Sequence, residues 1–200
     1  MCSEPSRRSA AGSFLGPGDP LPADVRRVLV AGAPGAGKTT LARRIGAARN
    51  LPHTELDGLY HGPGWVPRPS FTADVDRFTA EPRWVTEWQY PVVRELLLQR
   101  ADLLVWLDLP RALVVRRVVR RTLARRLDRQ ELWNGNQEPS LLTFLTDRDH
   151  IVRWSWRTQP RLAGKVERAA AEHPHLAVVR LRTPREVVLW SAGPLTTPRP

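Results

Sequence analysis

The chain has 200 residues, enough for one domain with a real core, and 42% of them are hydrophobic, as in a globular rather than a disordered protein. No apolar run reaches the roughly 18 residues of a membrane span, and no apolar stretch of the kind a secretory leader carries stands near the start. The single cysteine, Cys2, excludes an internal disulfide and sets the expectation of a reducing cytoplasm, while a net charge of +11, nearly all of it arginine, points to an anionic partner: nucleotide phosphates or nucleic acid.

Residues 1–24 are rich in Ser, Pro, Gly and Ala without apolar periodicity, which predicts a disordered leader. A first strand is expected at 26–31, where Val28-Leu29-Val30-Ala31 runs apolar. It leads into Gly32-Ala33-Pro34-Gly35-Ala36-Gly37-Lys38-Thr39, a full match to G-x-x-x-x-G-K-[ST], and then Thr40 and a helix to about 49. Strand two is expected near 53–57, a helix from Ser70 as N-cap, and strand three at 83–87. Pro91 opens a helix to Arg100, and Asp102–Asp108 reads as the clearest buried strand. A long helix follows Pro110 to about Leu127, then a lid of about 128–157 with a loop at 129–139, and helices at about 140–157 and 160–172. The last strand is expected at 176–181. Thr183-Pro184-Arg185-Glu186 is a capping box before a final helix, and 192–200 reads as a flexible tail. Short apolar runs alternating with helical patterns argue for a parallel sheet covered by helices, a folded domain over 25–191.

The order strand, glycine loop, helix is the context a phosphate-binding loop requires. Glycines let backbone N–H groups turn inward, and the new helix offers unpaired N–H groups and the positive end of its dipole. Residues Gly32 to Thr40 are therefore expected to hold ATP, with Lys38 on the β- and γ-phosphates and the Thr39 hydroxyl on Mg²⁺. A site of this kind also needs carboxylates, and in an open parallel sheet these belong at the carboxyl ends of strands. Asp57 is expected to orient or deprotonate an acceptor hydroxyl, or to hold a water on Mg²⁺, and Glu87 to assist the metal or the acceptor. Asp108 is expected to fix the turn into the next helix.

After Pro110, Arg117, Arg121, Arg125 and Arg129 recur at i, i+4 with Arg116 and Arg120 alongside. Like charges at that spacing repel by about 0.2–0.5 kcal/mol per pair, a cost that a bound anion would relieve. Arg148, Arg153 and Arg157 form a second basic set expected to close over the γ-phosphate. Eight tryptophans include Trp65, Trp88, Trp133, Trp154 and Trp156 in or near expected loops, where they either pack or form a stacking wall. His53, His61 and His150 show no metal-binding spacing.

Over residues 27–190 these features resemble the nucleoside-monophosphate-kinase-like branch of P-loop proteins, with adenylate and shikimate kinases as relatives. The chain is most similar to the bacterial group labelled topology-modulation or adenylate-kinase-like proteins, through the loop at 32–39, Leu56-Asp57, Trp84–Glu87, Leu107-Asp108 and the arginine helix, and Glu131–Glu138. The resemblance implies a three-layer α/β P-loop NTPase fold with a five-stranded parallel sheet in the order 2-3-1-4-5 and a helical lid. It implies that Arg117 stacks near the adenine, that Arg121 approaches phosphate, and that Arg185 lies by the base. Asp57 falls where shikimate kinase places the second acid of an Asp-x-Asp pair. The segment Glu87-Trp88-Gln89-Tyr90-Pro91 departs from the Asp-Gly-Phe/Tyr-Pro-Arg of adenylate kinases, with Trp88 in place of glycine.

Together these readings describe a cytoplasmic ATP- and Mg²⁺-using kinase of a small acceptor, with Lys38, Asp57, Glu87 and Arg121 as catalytic residues and Thr39 and Glu87 at the metal. The alternatives are a nucleotide-dependent regulatory ATPase or switch, and a basic nucleic-acid-binding protein using the arginine helix.

Overall fold

The computed structural model describes residues 14–127 and 151–196, for 121–127 and 151–160 the backbone alone. Five strands, β1 (Arg27–Gly32), β2 (His53–Thr54), β3 (Trp84–Glu87), β4 (Leu103–Leu107) and β5 (Ala177–Leu181), form one sheet in the order β2-β3-β1-β4-β5. Every pairing is parallel: Val30 lies opposite Glu87 on one side of β1 and Val105 on the other. The helices are α1 (Lys38–Arg49), α2 (Leu56–Tyr60), α3 (Phe71–Thr79), α4 (Arg94–Arg100), α5 (Arg111–Leu127), α6 (Ile151–Glu172) and α7 (Pro184–Ala192).

The period of two along the strands makes the three layers. Val28 and Val30 face one side with Val105 and Leu181, and pack against Leu41 and Ile45 of α1, Val114 of α5 and Trp190 of α7. Leu29 and Ala31 face the other with Leu104 and Trp106, and meet Val75 of α3, Leu97 of α4 and Val166 of α6. Strands buried on both faces need continuous apolar runs, which is why 28–31 and 103–107 are legible as strands. At the amino ends, Asp102 accepts from the Arg26 and Arg27 backbone N–H groups at 3.0 and 2.8 Å and from the Arg27 guanidinium at 2.6 Å, fixing β1 against β4.

The expected order 2-3-1-4-5 is the observed one. Several local expectations change. Strand two stops at Thr54 rather than 57, because Leu56 turns into the core and starts α2. Ser70 precedes α3 but does not cap its backbone; its hydroxyl donates to Asp74 at 2.8 Å instead. The helix expected from Pro91 begins as a 3-10 turn, Pro91–Val93, before α4. The two helices expected around Pro160 are one, α6, over the described residues. An internal proline costs about 3 kcal/mol, which burial of Leu162, Val166 and Ala169 along the same helix offsets.

Residues 14–24 and 193–196, which fall within the expected leader and tail, make contacts with the folded domain. Leu15 bridges in parallel to Val179, with its N–H donating to Val178 at 2.8 Å and its carbonyl accepting from Arg180 at 3.0 Å. Phe14 meets the Trp106 ring edge-on at 5.8 Å. Residues 14–24 thus belong to the folded body, since an open edge strand offers unpaired groups that a passing segment satisfies. At the other end Leu195 is buried, and the Arg49 guanidinium donates to the carbonyls of Leu195 and Pro194 at 2.7 and 3.1 Å. The capping box forms in displaced form: Glu186 N–H donates to Thr183 Oγ1 at 3.1 Å, while the Glu186 carboxylate accepts from Arg182 N–H at 2.7 Å. No helix among the described residues is long and apolar enough to cross a membrane.

Candidate active site

The loop between β1 and α1 bends as its glycines require. Gly35 and Gly37 stand at φ +84° and +101°, the left-handed region that L side chains rarely adopt. A Cβ on Gly35 would lie 2.3 Å from Val118 Cγ2 and 3.0 Å from the Val114 carbonyl, so α5 packs directly on the loop. Ala33 and Ala36 are buried, and Ala36 N–H closes a turn on the Ala33 carbonyl at 3.0 Å. Lys38 and Thr39 therefore open α1 at the carboxyl end of the central strand, where the positive end of the helix dipole faces the loop.

Arg117 touches this loop, donating to the Ala36 carbonyl at 3.2 Å. It also lines a cleft of about 440 Å³ together with Gly35, Gly37, Thr40, Arg44, Leu107, Leu109, Pro184, Val187 and Val188. That size suits a base and sugar, and its apolar side comes from the exit of β4 and the start of α7. Of the residues expected by the base, Pro184 lines the cleft; Arg185 is exposed and is not among the lining residues. Arg121 stands one turn after Arg117 on α5; its side chain, like those of Arg125, Arg153, Arg157, Trp154 and Trp156, lies outside the described residues, as do Arg129, Trp133, Arg148 and His150 entirely.

Glu87 ends β3 beside β1 and is only 2% exposed. Its Oε1 lies 3.3 Å from His53 Nε2, and the Thr39 side chain stands beside the same carboxylate and favours its charged form. Oε2 is buried without a hydrogen-bond partner among the described residues. Burial alone would push this carboxyl up, but the hydrogen bond and charge of His53, with the Thr39 hydroxyl, outweigh it and hold the group below the usual glutamate value. A buried, ionised oxygen left without a donor beside the loop threonine fits a hard cation such as Mg²⁺. No group of three or more His, Cys, Asp or Glu among the described residues forms a complete metal cage, so such an ion would take its remaining ligands from phosphates and water.

Asp57 lies in the first turn of α2, half-buried. Gln89 Nε2 donates to its Oδ1 at 2.7 Å and the Tyr90 hydroxyl donates to the same oxygen at 2.6 Å. The Tyr90 oxygen is also 3.2 Å from His61 Nε2. Burial, then the Asp57 carboxylate, push the Tyr90 phenol far above its ordinary range, so it remains a protonated donor; Glu87 contributes in the same direction. The structure thus brings Asp57 and Glu87 to one side of the sheet's carboxyl edge, joined through the segment 87–90. Glu55, two residues before Asp57, forms an ion pair with Arg43 of α1.

Asp108 is held structurally, but by β5 rather than at the turn into α5. Its Oδ2 accepts from Arg180 Nε and a terminal nitrogen at 2.9 and 2.6 Å, and its N–H donates to Leu181. The guanidinium lies 4.4 Å over the Trp106 ring, tying β4 to β5. Trp88 is buried with Val93 and Leu97, and the Arg94 guanidinium lies 5.7 Å over its ring; it packs rather than stacks on a ligand. Trp65 is half-buried against the His61 ring, edge-on at 5.0 Å. Four residues at the site escaped the sequence reading: His53, His61, Gln89 and Tyr90. His53 pairs with Val85 in the parallel register of β2 and β3, two residues before Glu87 on the same face of β3.

No protein-family model matches the chain, and no curated protein matches it in sequence. Solved structures do resemble it. A shikimate kinase from Acinetobacter baumannii, solved in complex with shikimate, matches with a TM-score of 0.52 at 14% identity, covering 85% of this chain and 91% of that one. A gluconokinase from Sinorhizobium meliloti matches with a TM-score of 0.47 at 19% identity, covering 84% and 91%. The fold, a five-stranded all-parallel sheet in the order 2-3-1-4-5 with helices on both faces, is that of the P-loop kinases.

Proposed function

We propose that the protein transfers the γ-phosphoryl group of ATP to a hydroxyl of a small molecule. The observation that carries this reading is the meeting of two half-sites at one edge of the sheet: a glycine loop whose Thr39 stands beside buried Glu87, and Asp57 anchored two and three residues further on, by Gln89 and Tyr90. The loop amides, Lys38 and Arg117 would hold the triphosphate, and the cleft lined by Leu109, Pro184 and Val187 would take the base. Thr39 and Glu87 would hold Mg²⁺, which when bound neutralises charge on the β- and γ-phosphates. Asp57 would accept the proton of the attacking hydroxyl, and Arg121 with the basic residues of the lid would follow the charge on the moving phosphoryl group. The resemblance to the topology-modulation or adenylate-kinase-like group, cytoplasmic location and a lid over 128–157 belong to the same proposal.

The test is ADP release from Mg·ATP across a panel of shikimate, gluconate, glycerol, nucleosides and nucleoside monophosphates. An acceptor that raises release well above the rate in water supports the kinase reading. A chain that binds Mg·ATP yet never exceeds that rate is a regulatory ATPase or switch instead. If the arginine helix serves nucleic acid, salt-sensitive binding to DNA or RNA should persist at saturating ATP; competition by ATP argues that these arginines belong to the nucleotide.

A further inference from the structure

Tyr90 is a bulky residue in a backbone conformation that bulky residues avoid. Its φ and ψ are +57° and +103°, outside the regular regions, and Pro91 follows immediately. Such strain costs about 1–3 kcal/mol and persists only where its surroundings hold it. Here the surroundings are rings: Tyr60 stacks on Tyr90 at 4.2 Å and 29°, and Phe71 meets it at 5.1 Å. The strained backbone aims the phenol at Asp57, and the neighbouring side chain, Gln89, reaches the same carboxylate. Successive residues of an extended strand point to opposite sides; the turn after β3 bends the chain so that both converge on one oxygen.

We propose that Tyr90 and Gln89 are positioning residues that clamp Oδ1 of Asp57 and so present its Oδ2 to the acceptor hydroxyl. Two short hydrogen bonds satisfy the two lone pairs of Oδ1, and among the described residues no bond falls on Oδ2. A carboxylate held by one oxygen keeps its other oxygen in a fixed direction, which is what a base in an in-line transfer needs. His61, 3.2 Å from the phenol oxygen, restricts the phenol in turn. The inference rests on the reading of Asp57 as the acceptor-side acid.

The experiment measures the scalar couplings across χ1 of Asp57 by NMR in the full chain, in the wild type, Tyr90→Phe and Gln89→Leu. Each variant removes one donor, so a folding failure in one leaves the other to decide. The wild type should show a single rotamer and the variants averaging between rotamers. A purely structural role for Tyr90, packing on Tyr60 and Phe71, predicts no change in Tyr90→Phe, which keeps the ring. A single unchanged Asp57 rotamer in the variants overturns the clamp. Binding of Mg·ATP is scored separately: a wild type that fails to bind it sinks the kinase reading and leaves the clamp standing. With an accepted member of the panel as substrate, Tyr90→Phe should lower kcat at least tenfold while KM for ATP stays within twofold.

Discussion

The two sides of this site, proposed above to take the nucleotide and the acceptor, are built in different ways. The first is nearly all one segment, residues 32–40, shaped by backbone: two left-handed glycines, buried alanines and a helix start. The second is assembled from β2, α2 and the exit of β3, with side chains meeting across more than thirty positions of sequence, as in Gln89 to Asp57 and His53 to Glu87. The loop needs few partners because amides and a dipole suit any polyphosphate. The second side depends on distant side chains agreeing, so on the proposed reading specificity resides there.

If that division is right, changes in the loop should abolish everything and changes opposite it should spare the nucleotide. The largest effect is expected of Lys38→Ala, which removes the one cationic side chain of residues 32–40: phosphoryl transfer should fall by about 10³-fold, read as ADP release at saturating ATP. Asp57→Asn should lower acceptor-stimulated transfer by about 10²- to 10³-fold while the Kd for Mg·ATP, from calorimetry, stays within twofold. A parallel loss of ATP affinity would break the comparison. Gly35→Ala tests the packing under the loop. Its Cβ would sit 2.3 Å from Val118 at a positive φ, so denaturant unfolding should show a loss of about 2–3 kcal/mol, with ATP affinity falling too.

The same division explains what the sequence reveals. The strands and the loop are legible because each rests on local pattern: apolar runs of four or five residues, a glycine spacing, a proline at a helix start; the order of the strands follows from the family resemblance instead. Asp57 and Glu87 are legible as acids near strand ends, although Asp57 stands on a short helix that the run Leu56–Tyr60 does not announce. Tyr90, Gln89 and His61 are not legible, since nothing local says that a strained residue before Pro91 will turn its phenol onto a carboxylate 33 positions earlier. The order of 14–24 and of 193–196 is hidden for a related reason: each is tied by a few long-range bonds to β5 or to Arg49 rather than by periodicity.

Glu87 offers a pH test of the junction between the two sides. Its folded carboxyl is held below the usual value of 4.5, so its ionised form contributes stability that is fully present above that value and is lost as pH falls through the lower, folded value. Unfolding free energies from denaturant titrations between neutral pH and about pH 3 should therefore fall more steeply for the wild type than for Glu87→Gln. Equal slopes would mean that His53 and Thr39 do not favour the charged form, and would separate Glu87 from the loop.

The smallest effect is expected of the third strand-end acid. Asp108 stands at the same edge of the sheet as Glu87, so position alone would make it part of the site. Its carboxylate is instead occupied by the Arg180 fork at 2.6–2.9 Å, and Arg180 is itself held over Trp106 and reached by the strand-like contact of Leu15. Both partners are partly exposed, at 19% and 25%, so solvent screening keeps the pair's worth to about 1 kcal/mol. Asp108→Asn should lower stability by about that amount, measured by denaturant unfolding, and leave both ATP affinity and transfer within twofold. A tenfold loss of transfer in a fully folded Asp108→Asn would show that the acidic edge of the sheet acts as one unit and that the nucleotide and acceptor sides are not separable.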